Sequence, residues 1–110
     1  MMKIGIIGNG KSANRYHLPF LLQRKDKIKV KTIVTNNLEN ITWKRIDVIN
    51  YTDKIEELYN DPEIDLVVIC LRPDLHYKYA KEVLEHGKNC LVEKPFVETL
   101  EEAQELFRLA

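Results

Sequence analysis

One block of the chain has no polar position at all: Leu66-Val67-Val68-Ile69-Cys70-Leu71. A strand with one wet face alternates, so continuous apolarity predicts a strand covered on both faces, as in a parallel sheet between helical layers. Lys3 to Ile7 is a second short apolar run, ending at Gly8. Ile28 to Thr35 alternates through Ile28, Val30, Thr32 and Val34, although Ile33 breaks the rhythm. Arg45 to Ile49 and Asn89 to Val92 are shorter strand candidates.

Helical spacing fills the gaps. Ser12 to Arg24 puts Leu18, Leu21 and Leu22 on one face, and Pro19 predicts either a kink or a restart with the proline in a first turn. Asn36 to Thr42 is polar and irregular. Thr52 or Asp53 is expected to cap a short helix through Tyr59, with Ile55 and Leu58 inward. Asn60-Asp61-Pro62 marks a turn. Asp74 is expected to cap a helix that runs to His86 and stops at Gly87, with Ala80, Val83 and Leu84 as its inner stripe. Thr99 and Glu102 have capping-box spacing ahead of a final helix whose apolar residues include Ala103, Leu106 and Phe107. Strands alternating with helices predict an α/β fold with a parallel sheet and right-handed crossovers. No repeat, linker or low-complexity segment interrupts the order.

Composition narrows the function classes. The chain has 110 residues, enough for one modest core. Hydrophobic residues make up 45% and charged residues 31%, which suits a soluble globular domain. Seventeen basic residues balance 17 acidic ones, so neither nucleic acid nor an anionic membrane is attracted at long range. No apolar run is long enough for a bilayer span, and the N-terminal run is too short for a signal peptide. Cys70 and Cys90 lie in apolar runs and read as core thiols in a reducing compartment, so a cytoplasmic location is expected. His17, His76 and His86 have no paired spacing, and no metal site is expected.

The first strand leads into Gly8-Asn9-Gly10-Lys11-Ser12-Ala13 and then a helix. This is the arrangement a dinucleotide fingerprint requires. Gly8 permits the tight turn, Gly10 lets a pyrophosphate approach the backbone, and Ala13 lets the helix pack on the strand. Free N–H groups at the helix start face the phosphates. The fold class that follows is a Rossmann-type doubly wound parallel sheet. An NAD-selective site places an acid about 20 residues beyond the loop to hold the ribose 2′-hydroxyl. Here that region reads Val34-Thr35-Asn36-Asn37-Leu38, with no acid before Glu39. Thr35, Asn36 and Asn37 can hydrogen-bond a 2′-phosphate, and Lys11, Lys44 or Arg45 could reach it. NADP is therefore expected in preference to NAD.

Glu93-Lys94-Pro95 follows the last strand. Strand C-termini in an open parallel sheet point into the ligand crevice, and Pro95 keeps Lys94 out of the helical region. A lysine placed there can hydrogen-bond a substrate oxygen and act as general acid/base while hydride moves at carbon.

Four segments in order are Ile4-Gly5-Ile6-Ile7-Gly8-Asn9-Gly10-Lys11-Ser12-Ala13, Tyr16-His17-Leu18-Pro19, Arg72-Pro73-Asp74-Leu75-His76 and Glu93-Lys94-Pro95. Together they resemble the N-terminal domain of the glucose–fructose oxidoreductase / inositol dehydrogenase / rhizopine-catabolism (Gfo/Idh/MocA) family. The resemblance covers essentially the whole chain. It implies NAD(P)-dependent oxidation or reduction of a sugar, polyol or related carbonyl compound. It makes Lys94 the catalytic lysine, with Glu93 beside it, and it puts Leu71, Arg72, Pro73 and His76 in a segment next to the cofactor. Two residues depart from the family pattern: Arg72 stands where threonine is usual, and Asp74 where asparagine is usual. Arg72 could pair with Asp74 or reach a cofactor phosphate.

The resemblance also implies a C-terminal domain that carries most substrate contacts. Leu106-Phe107-Arg108-Leu109-Ala110 has no helix-ending signal, and a six-stranded dinucleotide fold needs one more strand. Residues 1–110 are thus expected to be a dinucleotide-binding fragment, truncated before the last strand and unable to turn over substrate alone. Strand Asn89–Val92 would then form a sheet edge, through which two copies could pair as a homodimer. The rival reading is a regulatory NAD(P)-sensing domain without catalysis, which would need the glycine loop but not Glu93-Lys94-Pro95. A methyl donor-binding methyltransferase is a third reading, which the missing acid disfavours.

Overall fold

A computed structural model describes residues 2–10, 12–24, 26–36, 38, 43–92 and 100–110. Five parallel strands form one sheet: β1 (Met2–Ile7), β2 (Ile28–Val34), β3 (Asn50–Thr52), β4 (Leu66–Ile69) and β5 (Asn89–Val92). Their spatial order is β3-β2-β1-β4-β5. The order reverses beside β1, which opens a crevice at the C-terminal ends of the central strands. β5 ends the sheet on one side among the described residues.

Both faces of the sheet are covered, as the unbroken apolar block requires. Val67 and Ile69 of β4 join Ile7, Val34, Leu58, Val83 and Leu106 in one core layer. Val68 and Cys70 point the other way, to Ile4, Ile6, Ala13, Leu18, Val30, Ile33 and Ile49. The break in alternation at Ile33 has a physical cause. Ile4 pairs with Val30 but Gly5 pairs with Thr32, so β2 carries an extra residue, a β-bulge at Lys31. Val30 and Ile33, three apart, therefore share one face. The bulged Lys31 projects to Asp61 and Glu63, each 2.6 Å away, and Glu63 also meets Lys3 at 3.2 Å.

The first crossover is a π-helical segment, Ser12–His17, that passes into α1 (Leu18–Leu22). Pro19 sits in the first turn of α1, so the chain restarts its helix there rather than bending through it. α2 is Glu56–Tyr59, α3 is Pro73–Glu85 and α4 is Leu100–Leu109. Tyr59 ties α2 to α3, donating to Glu82 at 2.8 Å and stacking on His86 with ring centroids 4.4 Å apart. Burial and the Glu82 hydrogen bond both push the Tyr59 phenol upward from its ordinary pKa. Tyr77 and Lys81 clasp Glu105 of α4 at 2.6 and 2.8 Å.

Three local expectations need correction. Residues 45–49 form no strand. Ile49 closes a turn on Ile46, and β3 begins at Asn50, where the backbone can pair with Thr32. The apolar residues at 46 and 49 pack against the core from a turn instead. Neither Thr52 nor Asp53 caps α2. The Thr52 hydroxyl accepts from the Lys54 N–H at 3.0 Å, and Ile55 is the N-cap. Asp74 does not cap α3. Pro73, lacking an N–H, opens the helix two residues earlier than a cap at Asp74 would, Arg72 is the N-cap, and Asp74 lies in the first turn. In α4 Leu106 is buried while Phe107 is 72% exposed. The capping role expected of Thr99 lies outside the described residues.

Candidate functional site

The C-terminal ends of β1, β2, β3 and β4 meet at a cleft of about 320 Å³. It is lined by Gly8, Asn9 and Gly10 after β1, by Thr35 and Asn36 after β2, by Asp53 after β3 and by Leu71 after β4, among others. Ile55 at the start of α2 and Leu75 and Tyr79 of α3 complete its apolar side. Among the described lining residues Asp53 is the one carboxylate, and none is Lys or Arg. The volume falls within the roughly 300–1,000 Å³ usual for small-molecule sites.

The turn after β1 is tightly held. The Gly8 N–H donates to Val34 at 2.8 Å, and the Cys70 N–H donates to Ile7 at 2.9 Å, so β1 is gripped from both sides up to its end. Gly8 has φ 110°, a conformation side chains rarely tolerate. A Cβ there would overlap the carbonyl oxygen of Cys70 and lie 3.0 Å from its carbonyl carbon. Gly10 is different. A Cβ on it would meet nothing within 4 Å, so the absent side chain leaves open space over the loop. That space, bordered by backbone and lacking any packing need for glycine, fits a pyrophosphate.

Asn14 secures the loop. Its Nδ2 reaches the Asn9 carbonyl (3.2 Å), the Asn9 Oδ1 (2.9 Å) and the Gly10 carbonyl (2.9 Å). The Asn14 N–H also donates to Gly10 at 3.1 Å. Ala13 is buried against the sheet, the packing its size allows. Ser12 opens the π-helical segment.

The remaining expected residues divide. Thr35 is buried and its N–H donates to Thr52 at 2.8 Å, while Asn36 is exposed at the rim. Leu71 lines the cleft, but His76 does not. His76 is 1% exposed, with Nε2 2.8 Å from the Leu71 carbonyl. A carbonyl only accepts, so that nitrogen carries the proton, and the imidazole braces the turn at Leu71. Arg72 is 77% exposed and pairs with Asp74 at 3.3 Å, away from the cleft lining. Pro73 opens α3. Of the cations expected near a phosphate, Arg45 donates to the Leu38 carbonyl at 2.9 Å and lies over Tyr51, and Lys44 borders a separate groove with Leu18 and Trp43. Lys11, Asn37, Glu93 and Lys94 lie outside the described residues, as does Pro95.

Asn14, Asp53, Ile55, Leu75 and Tyr79 are site residues that caps and motifs along the chain do not mark as such. An amide four residues beyond Gly10 was the available signal for Asn14. Asp53 was legible only as a helix cap. Among the described residues no group of His, Cys, Asp or Glu could hold a metal, and no helix is long and apolar enough to cross a membrane.

Comparison with known proteins bears on this geometry. Residues 2–110 match the model of the Gfo/Idh/MocA oxidoreductase family, NAD-binding Rossmann fold. The chain is 46% identical over 111 residues to the uncharacterized oxidoreductase YhhX of Escherichia coli (strain K12), covering 100% of this chain and 32% of that one. It is 34% identical over 109 residues to the scyllo-inositol 2-dehydrogenase (NADP(+)) IolW of Bacillus subtilis (strain 168), covering 99% of this chain and 30% of that one. A crystal structure described as a probable oxidoreductase, YhhX, superposes with a TM-score of 0.94 at 46% identity, again over 100% of this chain and 32% of the other. The chain thus spans about a third of the length of these relatives.

Proposed function

The chain belongs to the Gfo/Idh/MocA oxidoreductase family, and from that premise we propose that it is the cofactor half of an NADP-linked enzyme acting on a sugar, polyol or related carbonyl or hydroxyl compound. The observation that carries the proposal is the cleft that joins Gly8–Gly10 to Thr35 and Asn36 across the ends of β1 and β2. The cofactor, when bound, supplies or accepts the hydride. The loop backbone at Gly8–Gly10 holds its pyrophosphate, with Asn14 donating to the Asn9 and Gly10 carbonyls to fix the loop. Leu71, braced by His76, helps form the floor.

Several supports favour NADP over NAD. No carboxylate closes β2, so the repulsion that an acid at that strand end would exert on a 2′-phosphate, roughly 4 kcal/mol per pair of unit charges at about 4 Å and intermediate dielectric, is absent. Asn36, exposed at the rim, can hydrogen-bond the phosphate, and Asn37 extends that polar edge. The Bacillus subtilis relative IolW is a scyllo-inositol 2-dehydrogenase named for NADP(+). Lys94 is assigned as acid/base on the sequence motif, with Glu93 beside it, and Lys11 as a cation near the phosphates. The substrate contacts belong to a further domain of a longer protein. This reading keeps the enzyme in the cytoplasm.

Titration with NADPH and NADH, followed by nicotinamide fluorescence, tests the binding reading; clearly tighter NADH binding overturns the NADP preference. In the full-length protein Lys94→Ala should lower turnover by about 10²–10⁴, the usual worth of a positioned acid/base, with near-normal cofactor affinity. Unchanged turnover would remove Lys94 from the chemistry and favour a sensing role. Light scattering at high concentration tests pairing across β5; a strict monomer refutes it.

A further inference from the structure

The cleft holds a carboxylate that nothing in the phosphate-binding arrangement uses. Asp53 closes β3, one strand outward from Thr35 and Asn36, which in turn lie one strand outward from the glycine loop. A dinucleotide laid along this edge puts its pyrophosphate over β1 and its sugar at the end of β2. The base comes next. The same cleft is lined by Ile55 at the start of α2, by Leu75 and Tyr79 of α3, and by Ile7 and Val34 at the strand ends. An apolar slot between two helices suits a flat ring, and one polar group at its rim suits recognition of that ring's edge. A carboxylate only accepts hydrogen bonds, so it needs a donor on the ligand. Against a 2′-phosphate it would be repelled, whereas a purine 6-amine offers two N–H donors.

We propose that Asp53 is a specificity-determining residue that reads the base, accepting a hydrogen bond from the exocyclic 6-amine of a purine held between Ile55 and the Leu75–Tyr79 face. The inference rests on the reading of the cleft as a dinucleotide site. It assigns to Asp53 a choice of adenine over a 6-oxo purine, whose carbonyl would confront the carboxylate with a second acceptor.

The test compares NADPH with its hypoxanthine analogue, in which a carbonyl replaces the 6-amine, by fluorescence titration of the whole chain and of Asp53→Asn and Asp53→Ala. The parent should prefer NADPH by about tenfold or more, the usual effect of one hydrogen bond to a charged group. Both variants should bring the two affinities within about twofold, because the amide can donate to the carbonyl and alanine does neither. Urea unfolding of each variant checks that the fold is retained. Equal affinities in the parent, or a preference that survives both substitutions, overturns the proposal while leaving the dinucleotide site intact. Tighter NADPH and weaker NADH binding by Asp53→Asn also overturns it, by placing the carboxylate at the sugar. A parent that binds no dinucleotide overturns the site and the inference together.

Discussion

Gly8→Ala separates two roles that a glycine loop combines. The new methyl would sit on a backbone with φ 110° and overlap the Cys70 carbonyl oxygen. Holding a side chain in such a conformation costs about 1–3 kcal/mol. Moving the end of β4 aside costs a further 1–3 kcal/mol or so, the range for overpacking a well-filled site. Greater stiffness of the unfolded chain adds up to about 1 kcal/mol to the loss in reverse, as a small stabilisation. The net destabilisation is about 1–6 kcal/mol, centred near 3–4, against a total of roughly 5–15 kcal/mol for a domain of this length. With a urea slope near 2 kcal/mol/M, the unfolding midpoint should fall by about 2 M. Gly10→Ala is the control. Its methyl enters open space, so the midpoint should stay within about 0.5 M, while dinucleotide affinity collapses because the methyl occupies the phosphate position. A Gly8→Ala midpoint equal to the parent's would refute the steric argument. Equal unfolding losses at both positions would refute the division of roles.

Three further outcomes follow from contacts around the site. Asn14→Ala should weaken dinucleotide binding about five- to tenfold in a fluorescence titration, since Asn9 loses its side-chain donor and the Gly10 carbonyl keeps only the residue-14 backbone N–H, with little change in the urea midpoint. Hydrogen bonds from Lys81 and Tyr77 hold Glu105 below its ordinary pKa of 4.5. The α3–α4 clasp is therefore fully present above that value and is lost as pH falls through the lowered one; hydrogen exchange in residues 100–110 should quicken across that acid range in the parent and show no such step in Glu105→Gln. Burial raises the Cys90 thiol from 9.0 to about 11. Alkylation of Cys90 at pH 8 should be slow until urea is added, and in the native chain should accelerate only as pH climbs toward 11.

Elements whose cause is local were legible in the chain itself. β4 announced itself by apolarity at every position, Pro19 by the restart it imposes, and the turn at Gly8–Gly10 by glycine placed straight after a strand. Helix starts were less legible, because Thr52, Asp53 and Asp74 are all residue types that cap. Which of them does so depends on where the backbone is already pinned: Thr35 to Thr52 across the β2–β3 pair, and Pro73 at the first position of α3. β3 was misplaced for a related reason. A three-residue parallel strand is defined by its partner, here residues Thr32–Val34, and not by its own pattern.

The sequence by itself determined a parallel α/β sheet, the glycine loop and the family, because periodicity and short motifs are properties of neighbours along the chain. The tertiary structure alone decided which side chains share the cleft. It set His76 against the Leu71 carbonyl, turned Arg72 toward Asp74, and brought Asp53, Ile55, Leu75 and Tyr79 from separate elements to one cleft. Those positions follow from the strand order β3-β2-β1-β4-β5, which makes neighbours in space of residues far apart in sequence.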